Sequence, residues 1–228
     1  GIRDQPRSRG LGDVYKRQLL VDSGQFDWAS SSKFKVLTEP YEGFHGMNFV
    51  DEFGPAAYIN RARKEGARDF GACMSPTTAF HILQGMETLP LRMEKHVANT
   101  RKIVSFLNNH EAVEWVSYPD LPDHPDHALA ARLLPRGCGA VFSFGVRGGR
   151  SAGQRFIDKT ELLSHLANIG DAKSLVIHPA STTHHRMDDT ALEAAGISEG
   201  LIRLSIGLED SDDLIEDLNR GLRAAAKG

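Results

Sequence analysis

The chain has 228 residues, a hydrophobic fraction of 40% and a formal net charge of −3 from 27 basic and 30 acidic side chains. This length and composition suffice for one large globular domain, or for one domain and part of another. The charge leaves no basic surplus for a nucleic-acid backbone, and no apolar run approaches the roughly 20 residues that span a bilayer. We therefore expect a globular protein that binds neither nucleic acid nor a membrane.

The N-terminal segment and the cysteines add two further expectations. Residues 1–18 mix Arg, Lys, Gly and Pro without an apolar period, so we interpret them as a non-native-looking leader rather than a packed element. They also lack the apolar core of a signal peptide. Cys73 and Cys138 are too few and too far apart for a disulfide framework or a zinc site, which favours a reducing compartment and therefore a cytoplasmic location.

The chain from residue 19 to residue 70 predicts three kinds of structure. Leu19–Gly24 is apolar and then turn-like, which favours the end of a buried strand. Residues 26–54 are rich in aromatic residues, Gly and Pro without sustained periodicity, as is typical of a long ordered loop. Residues 55–70 are rich in Ala and Arg and favour a helix.

Ser75 and Pro76 are typical of a helix start, because serine caps the first turn and proline is tolerated at the first helical position. Pro90 should bend or interrupt this helix, after which a second apolar stripe runs to Asn109. We expect a long, kinked connecting helix whose apolar face packs on another part of the complete protein.

From residue 113 onward, β-rich pieces alternate with helical pieces, which is typical of helices that cover an open sheet. The last helix should begin at Ser211, because Asp212 and Asp213 suit the positive end of its dipole. The fold class is therefore predicted as α/β. Strands are expected at 113–118, 139–146, 174–177 and 201–206, and helices at 150–157 and 161–167.

Arg203 is the first candidate binding residue. It lies in the apolar strand 201–206, where a side chain that keeps its charge is costly to bury unless an anion meets it. A guanidinium matches a carboxylate with two parallel hydrogen bonds. Spacing alone leaves a plainer interpretation open, in which Arg203 reaches solvent or pairs with Glu209 or Asp210.

A second group of polar residues precedes Arg203 in the chain. Asn168 stands before Gly170 at a turn into a strand, and its residue type also suits a plain helix end. The histidines after it have no cysteine or carboxylate arranged as metal ligands, and no Gly-x-Ser-x-Gly nucleophile elbow is present. We therefore predict no metal site and interpret four residues as an active-site shell: Ser174, His178, Thr183 and His184.

This part of the chain closely resembles one enzyme family. Residues 168–184, with Arg203 inside the segment 202–210, are similar to the C-terminal signature of pyridoxal-phosphate (PLP) enzymes of cysteine and methionine metabolism, especially O-acetylhomoserine sulfhydrylases. The match runs from Leu19 to the C-terminus and includes Asp22–Trp28, Leu37–Pro40, Gly71–Pro76, Leu83–Leu89 and His124–Ala130. It implies an α/β, fold-type I PLP-dependent transferase, with the end of the large PLP-binding domain in 19–100 and the small α+β C-terminal domain in 101–228.

The resemblance also implies roles for individual residues. Arg203 and Asn168 hold the α-carboxylate of an amino-acid substrate, while PLP forms a Schiff base with a lysine in a Ser-x-Thr-Lys context upstream of Asp22. Lys16 lacks that context, so we expect no catalytic residue in this chain, which would be an N-terminally truncated fragment that is inactive alone. The complete enzyme should be a homotetramer that makes homocysteine or methionine from O-acetylhomoserine and sulfide or a thiol by γ-replacement.

Two alternatives stay open. Within the same family the reaction could be that of a cystathionine γ-synthase or a methionine γ-lyase, although Asn168 and the segment Lys173–His178 favour the sulfhydrylase. Outside enzymes, the small-domain fold could serve as a non-catalytic assembly domain. The upstream gene sequence discriminates between an enzyme and an assembly domain: a Ser-x-Thr-Lys segment there supports an enzyme of this family, and a complete alternative domain supports the assembly role.

Overall fold

The structure of the protein is a computed structural model that describes residues 20–71 and 73–227. The predicted leader, residues 1–18, and Lys16 within it lie outside the described residues. The described chain forms two compact units, one that ends at Gly85 and one that begins at Met86. The domain boundary that we predicted after residue 100 concerns the complete protein and stays a prediction.

The first unit consists of short helical segments around a small aromatic core. Leu37, Phe49 and Ala57 are buried, and further aromatic side chains pack against them. The prediction of a long loop over 26–54 is therefore wrong, because its aromatic residues provide a core of their own. The α-helices are α1 (Lys35–Thr38), α2 (Phe49–Phe53) and α3 (Ala57–Arg61), and a π-helix follows at Ala62–Asp69; four 3-10 turns lie at Trp28–Ser30, Ser32–Phe34, Glu42–Phe44 and Gly54–Ala56.

The predicted strand at Leu19–Gly24 is also wrong for the part that is described. Residues 20–24 belong to no strand, and Leu20 and Val21 are exposed; Leu19 lies outside the described residues. A strand needs a hydrogen-bonding partner, and none of the described strands pairs with this segment. The apolar pattern alone could not supply that partner.

The two helices predicted around Pro90 are confirmed. Helix α4 spans Pro76–Glu87 and begins where the Ser75 hydroxyl accepts the Thr78 amide at 3.1 Å, and α5 spans Leu89–Asn108 with Pro90 in its first turn. No described helix combines the length and apolarity needed to cross a bilayer. Large apolar side chains are exposed along α4 and the start of α5: Phe80, Leu83, Met86, Leu89, Leu91 and Met93.

The second unit is built on one five-stranded sheet, and the four strands predicted from the sequence are confirmed within it. The spatial order is β1-β2-β5-β4-β3, so β5 lies in the middle. All neighbours are antiparallel except β3 and β4, which are parallel. The strands are β1 (Val113–Ser117), β2 (Val141–Val146), β3 (Ser164–His165), β4 (Leu175–Ile177) and β5 (Leu201–Ser205).

Helices cover one face of this sheet, as predicted. Phe142, Phe144, Ile202 and Leu204 are buried in one hydrophobic core together with the apolar stripes of the covering helices. Since successive residues of a strand point to opposite faces, the residues between them, including Arg203, belong to the other face. The remaining α-helices of this unit are α6 (His127–Leu133), α7 (Gly149–Lys159), α8 (Asp189–Ala194) and α9 (Ser211–Ala225), and a 3-10 turn lies at Pro179–Ser181. Of these, α7 and α9 were predicted from the sequence.

The predicted helix at 161–167 is wrong, and its absence has a clear cause. The buried carboxylate of Asp217 on α9 accepts the backbone amides of Glu161, Leu162 and Leu163 at 2.9, 3.0 and 3.1 Å. The amide of Ser164 then donates to the sheet, to the Ser174 carbonyl at 2.9 Å. The segment is therefore held as an edge strand by contacts with residues far away in the chain.

Candidate substrate-carboxylate site

Arg203 lies on the face of the sheet opposite the helix-covered core, at the centre of the middle strand. Its neighbours in register are Ser143 on β2 and Ile177 on β4, neither of which is charged. The side chain is half-buried, between the fully buried Ile202 and Leu204 that point to the opposite face. The Arg203 guanidinium in these surroundings is well placed to bind an anion that approaches from outside the sheet.

The Arg203 guanidinium makes no salt bridge and donates no hydrogen bond to any residue that the structure describes. Other half-buried arginines do: Arg61 pairs with Glu65 at 2.7 Å, and Arg155 donates to the Ala225 carbonyl at 2.9 Å. Two acidic residues follow Arg203 closely in the chain, at 209 and 210, but both are engaged elsewhere, with Ser174 and with the first turn of α9. The two pairings that the plainer interpretation allowed are therefore not formed.

The Asn168 loop joins β3 to β4 and is attached to the strand that carries Arg203. The amide of Gly170 donates to the Ser205 hydroxyl at 2.9 Å, and Ser205 lies on the same face of the sheet as Arg203, two positions away. The Asn168 carbonyl oxygen accepts the Ile169 amide at 2.9 Å. Its amide nitrogen donates to no described residue, so the two predicted substrate-binding residues lie on adjoining segments with unused donors.

Ser174 immediately precedes β4. It is completely buried, and its hydroxyl donates to Glu209 at 2.8 Å and accepts the Gly207 amide at 2.7 Å. These contacts use the single hydroxyl proton and one of the two acceptor positions of the oxygen. The sequence suggested Glu209 only as an ion-pair partner of Arg203, and its contact with Ser174 was not predicted. Ser205 was missed, although the alternation of β5 was a signal that it shares a face with Arg203.

His178 is a buried, uncharged residue that fixes the chain between β4 and β5. Its Nε2 lies 2.6 Å from the Glu199 carbonyl and its Nδ1 lies 2.7 Å from the Ser181 hydroxyl. Because a carbonyl only accepts, Nε2 carries the proton and Nδ1 accepts from Ser181. Burial is the main cause that lowers the His178 pKa, and the nearby Arg150 adds to it, while the Glu199 carbonyl opposes the shift.

Thr183 and His184 follow on a turn, where the Thr183 hydroxyl and His184 Nδ1 are 2.8 Å apart. Thr183 is exposed and His184 is half-buried. Within residues 20–71 and 73–227, no group of three or more His, Cys, Asp or Glu side chains is arranged to hold a metal ion. The two residues stay predicted members of the active-site shell.

Comparison with known proteins decides the family. The family model described as Cys/Met metabolism PLP-dependent enzyme matches residues 19–223. The chain belongs to this family. Pyridoxal phosphate is the cofactor of its members.

Curated relatives of known name agree with this assignment. The O-acetyl-L-homoserine sulfhydrylase of Leptospira meyeri is 45% identical over 214 residues, which cover 90% of this chain and 48% of the relative. The homocysteine synthase of Schizosaccharomyces pombe is 45% identical over 208 residues, which cover 91% of this chain and 48% of the relative. The chain therefore spans about half the length of the curated relatives that it matches.

A solved structure shares the fold. The crystal structure of an O-acetylhomoserine (thiol)-lyase from Campylobacter jejuni, which contains pyridoxyl-lysine monophosphate, matches with a TM-score of 0.69 at 40% identity. The match covers 83% of this chain and 45% of that one. The predicted fold class, α/β of the fold-type I PLP-dependent transferases, is confirmed.

The prediction that this chain carries no cofactor-anchoring lysine stays a prediction, and the described lysines offer no strongly buried candidate. A Schiff-base lysine reacts from a desolvated or otherwise activated position, whereas every described lysine is exposed except Lys64. Lys64 is half-buried, with its ammonium group 5.9 Å from the ring centre of Phe44. We therefore assign no chemical step at the cofactor to residues of this chain.

Proposed function

We propose that this chain is the C-terminal half of a PLP-dependent O-acetylhomoserine sulfhydrylase. The proposed reaction is γ-replacement, in which sulfide or a thiol replaces the acetate of O-acetylhomoserine to give homocysteine or methionine. The task of this chain is to bind the α-carboxylate of the substrate with Arg203 and Asn168. One observation supports the proposal most directly: Arg203 is half-buried on the sheet face opposite the helix-covered core, and its guanidinium has no partner among the described residues.

The chemistry of the two side chains suits this ligand. The planar guanidinium of Arg203 can donate two parallel hydrogen bonds to one carboxylate, and the amide nitrogen of Asn168 can add a third. Such contacts orient the amino acid, so that its reacting carbons are held in one place relative to the rest of the active site. They move no proton and form no bond, which fits a half-enzyme without a catalytic residue.

Three further proposals concern the complete protein. The cofactor is held by residues outside the described part of this chain, the enzyme is a homotetramer, and its location is cytoplasmic. The free thiols of Cys73 and Cys138 agree with a reducing compartment. Gel filtration of the complete protein tests the tetramer.

The test of the substrate role uses the complete gene product, with Arg203→Ala and Arg203→Lys. A hydrogen bond to a charged group contributes about 1.5–3 kcal/mol, which corresponds to a loss of roughly 10-fold to 100-fold in affinity. We expect the KM for O-acetylhomoserine to rise by this factor with both variants, because lysine cannot donate two parallel hydrogen bonds to one carboxylate as arginine does. The KM for sulfide should not change.

The matched control is Arg223→Ala, which removes an exposed arginine from α9 of the same unit. An unchanged KM for O-acetylhomoserine in Arg203→Ala would contradict the proposal. The same assay separates the alternatives, since cysteine as acceptor reports cystathionine γ-synthase activity and methionine as substrate reports γ-lyase activity. The chain by itself should turn over none of these substrates.

A further inference from the structure

Two segments of the second unit meet beside the proposed carboxylate site. One is 170–174, which follows Asn168, and the other is 205–209, which follows Arg203. Their contacts therefore determine how far apart the two binding residues lie. The Gly170 amide donates to the Ser205 hydroxyl at 2.9 Å at one end, and the Leu208 amide donates to the Ala172 carbonyl at 2.8 Å further along.

The strongest link between these segments is the carboxylate of Glu209. One oxygen accepts the Ser174 amide at 2.6 Å, and the other accepts the Ser174 hydroxyl at 2.8 Å. The Ser174 hydroxyl in turn accepts the Gly207 amide at 2.7 Å. Both acceptor bonds of Glu209 are charge-assisted, and Ser174 is completely buried, so the link is shielded from competing water.

The approach of the two segments is close enough to require glycine at position 207. A Cβ atom there would collide with the Ala172 carbonyl oxygen and with the Glu209 carboxylate. The close contact of backbone with carboxylate thus depends on the absence of a side chain. The segment 205–209 has little freedom to move away from 170–174 without breaking these bonds.

The other side of the segment 205–209 is held by α5. The buried side-chain amide of Asn99 donates to the carbonyls of Gly207 and Glu209 at 3.0 and 2.8 Å. The buried ring of His96 donates from Nδ1 to the Ile206 carbonyl at 2.6 Å. These hydrogen bonds hold the backbone around Glu209 in place. The Glu209 carboxylate, which binds Ser174, can therefore hold the 170–174 segment in a fixed position.

We propose that Glu209 is a positioning residue for substrate binding. By holding Ser174, it fixes the Asn168 loop against the end of β5 and so sets the separation of Asn168 from Arg203. Two donors that contact one carboxylate must be held at matching positions, and an error of a fraction of an ångström weakens both contacts. This proposal rests on the proposed function of Arg203 and Asn168.

The test uses Glu209→Gln in the complete enzyme, with Glu216→Gln on the exposed face of α9 as the matched control. Glutamine keeps the size of the side chain but loses the charge and one acceptor oxygen. We expect the KM for O-acetylhomoserine to rise about tenfold, within the range measured for coupled residues, while the KM for sulfide and kcat change little. Inhibition by 3-aminopropyl acetate, which lacks the carboxylate, should be unchanged.

A second variant separates positioning from loss of stability. Leu222→Ala removes buried side-chain volume from α9 and should lower the melting temperature at least as much as Glu209→Gln does. Because Leu222 belongs to the hydrophobic core of the unit and not to the Glu209–Ser174 link, the variant should leave the KM for O-acetylhomoserine unchanged. An equal rise in KM in Leu222→Ala would overturn the proposal, as would an unchanged KM in Glu209→Gln.

The double variant Arg203→Ala with Glu209→Gln distinguishes this proposal from the one on which it rests. If Glu209 acts through the carboxylate site, the loss in the double variant should be smaller than the sum of the two single losses, because only the Asn168 contact is left to weaken. Additive losses would refute the positioning role. An unaffected KM in Arg203→Ala would instead refute the substrate role of the arginine, whatever Glu209→Gln does.

Discussion

Asp217 on α9 offers the sharpest test of how the second unit is held together. Its side chain is 2% exposed, and its two oxygens accept three consecutive backbone amides, those of Glu161, Leu162 and Leu163. The substitution Asp217→Asn keeps the size of the side chain. It removes the charge and turns an NH2 group toward at least one of these amides.

The expected loss of stability follows from these contacts. A hydrogen bond to a charged group contributes about 1.5–3 kcal/mol, and a buried donor left without an acceptor costs a similar amount. Asparagine retains one acceptor oxygen, so we expect a loss of about 3 kcal/mol in the free energy of unfolding. For a chain of this size that loss lowers the melting temperature by about 6–12 °C.

Urea and thermal unfolding of Asp217→Asn, followed by circular dichroism, measure this loss. Amide hydrogen exchange at Leu162 and Leu163 should become faster, because their acceptor is weakened. Glu216→Gln, at the exposed neighbouring position of α9, is the control and should change neither quantity. A loss below about 1 kcal/mol, or unchanged exchange at both amides, would show that the carboxylate does not hold this segment.

Three further predictions concern the same unit. The His178 pKa lies below its ordinary value of 6.5, so as the pH falls the unfolded chain takes up this proton before the folded chain does. The free energy of unfolding should therefore fall as the pH drops below about 6.5, and this group should not change it above that pH. Urea unfolding across this pH range measures the effect. Gly145→Ala should destabilise the unit, because the new Cβ would enter the Trp115 indole, and Trp115→Ala in the same chain should relieve part of that loss in thermal unfolding. Burial raises the pKa of Tyr118 to about 12, so its phenol, which donates to the Gly139 carbonyl at 2.8 Å, should ionise last in an ultraviolet titration.

A different result would contradict each of these three predictions. A pH dependence that is the same after His178→Asn would show that another group causes it. Additive losses in the Gly145 and Trp115 double variant would show that the two side chains do not compete for space. A tyrosine set that titrates together near pH 10, with no late component, would show that Tyr118 is open to solvent.

Local sequence patterns were sufficient for the elements that depend on nearest neighbours. The Ser75–Pro76 start of α4 and the break before α5 were predicted from the residues at the helix ends. The apolar stripe of α9 was predicted from its spacing, and its residues Leu214, Leu218 and Leu222 are completely buried. In each case the deciding interactions lie within a few residues in the chain.

The predictions that were wrong concern segments whose structure depends on contacts with residues far away in the chain. The segment 161–167 has a helical pattern, but its amides are bound by Asp217, more than fifty residues away. The aromatic residues of 26–54 were interpreted as a loop, yet they pack on one another and on α3. Local propensity is a weak preference, and contacts between distant residues readily override it.

The sequence by itself determined the family, the α/β class and the strand that carries Arg203, because these depend on motifs and on a residue spacing that repeats along the chain. Only the tertiary structure decided that Arg203 has no partner among the described residues and that Glu209 is bound to Ser174 instead. Both acidic neighbours were plausible partners from spacing. The donor that each carboxylate binds depends on the conformation of the loops. Hydrogen bonds between residues far apart in the chain determine that conformation.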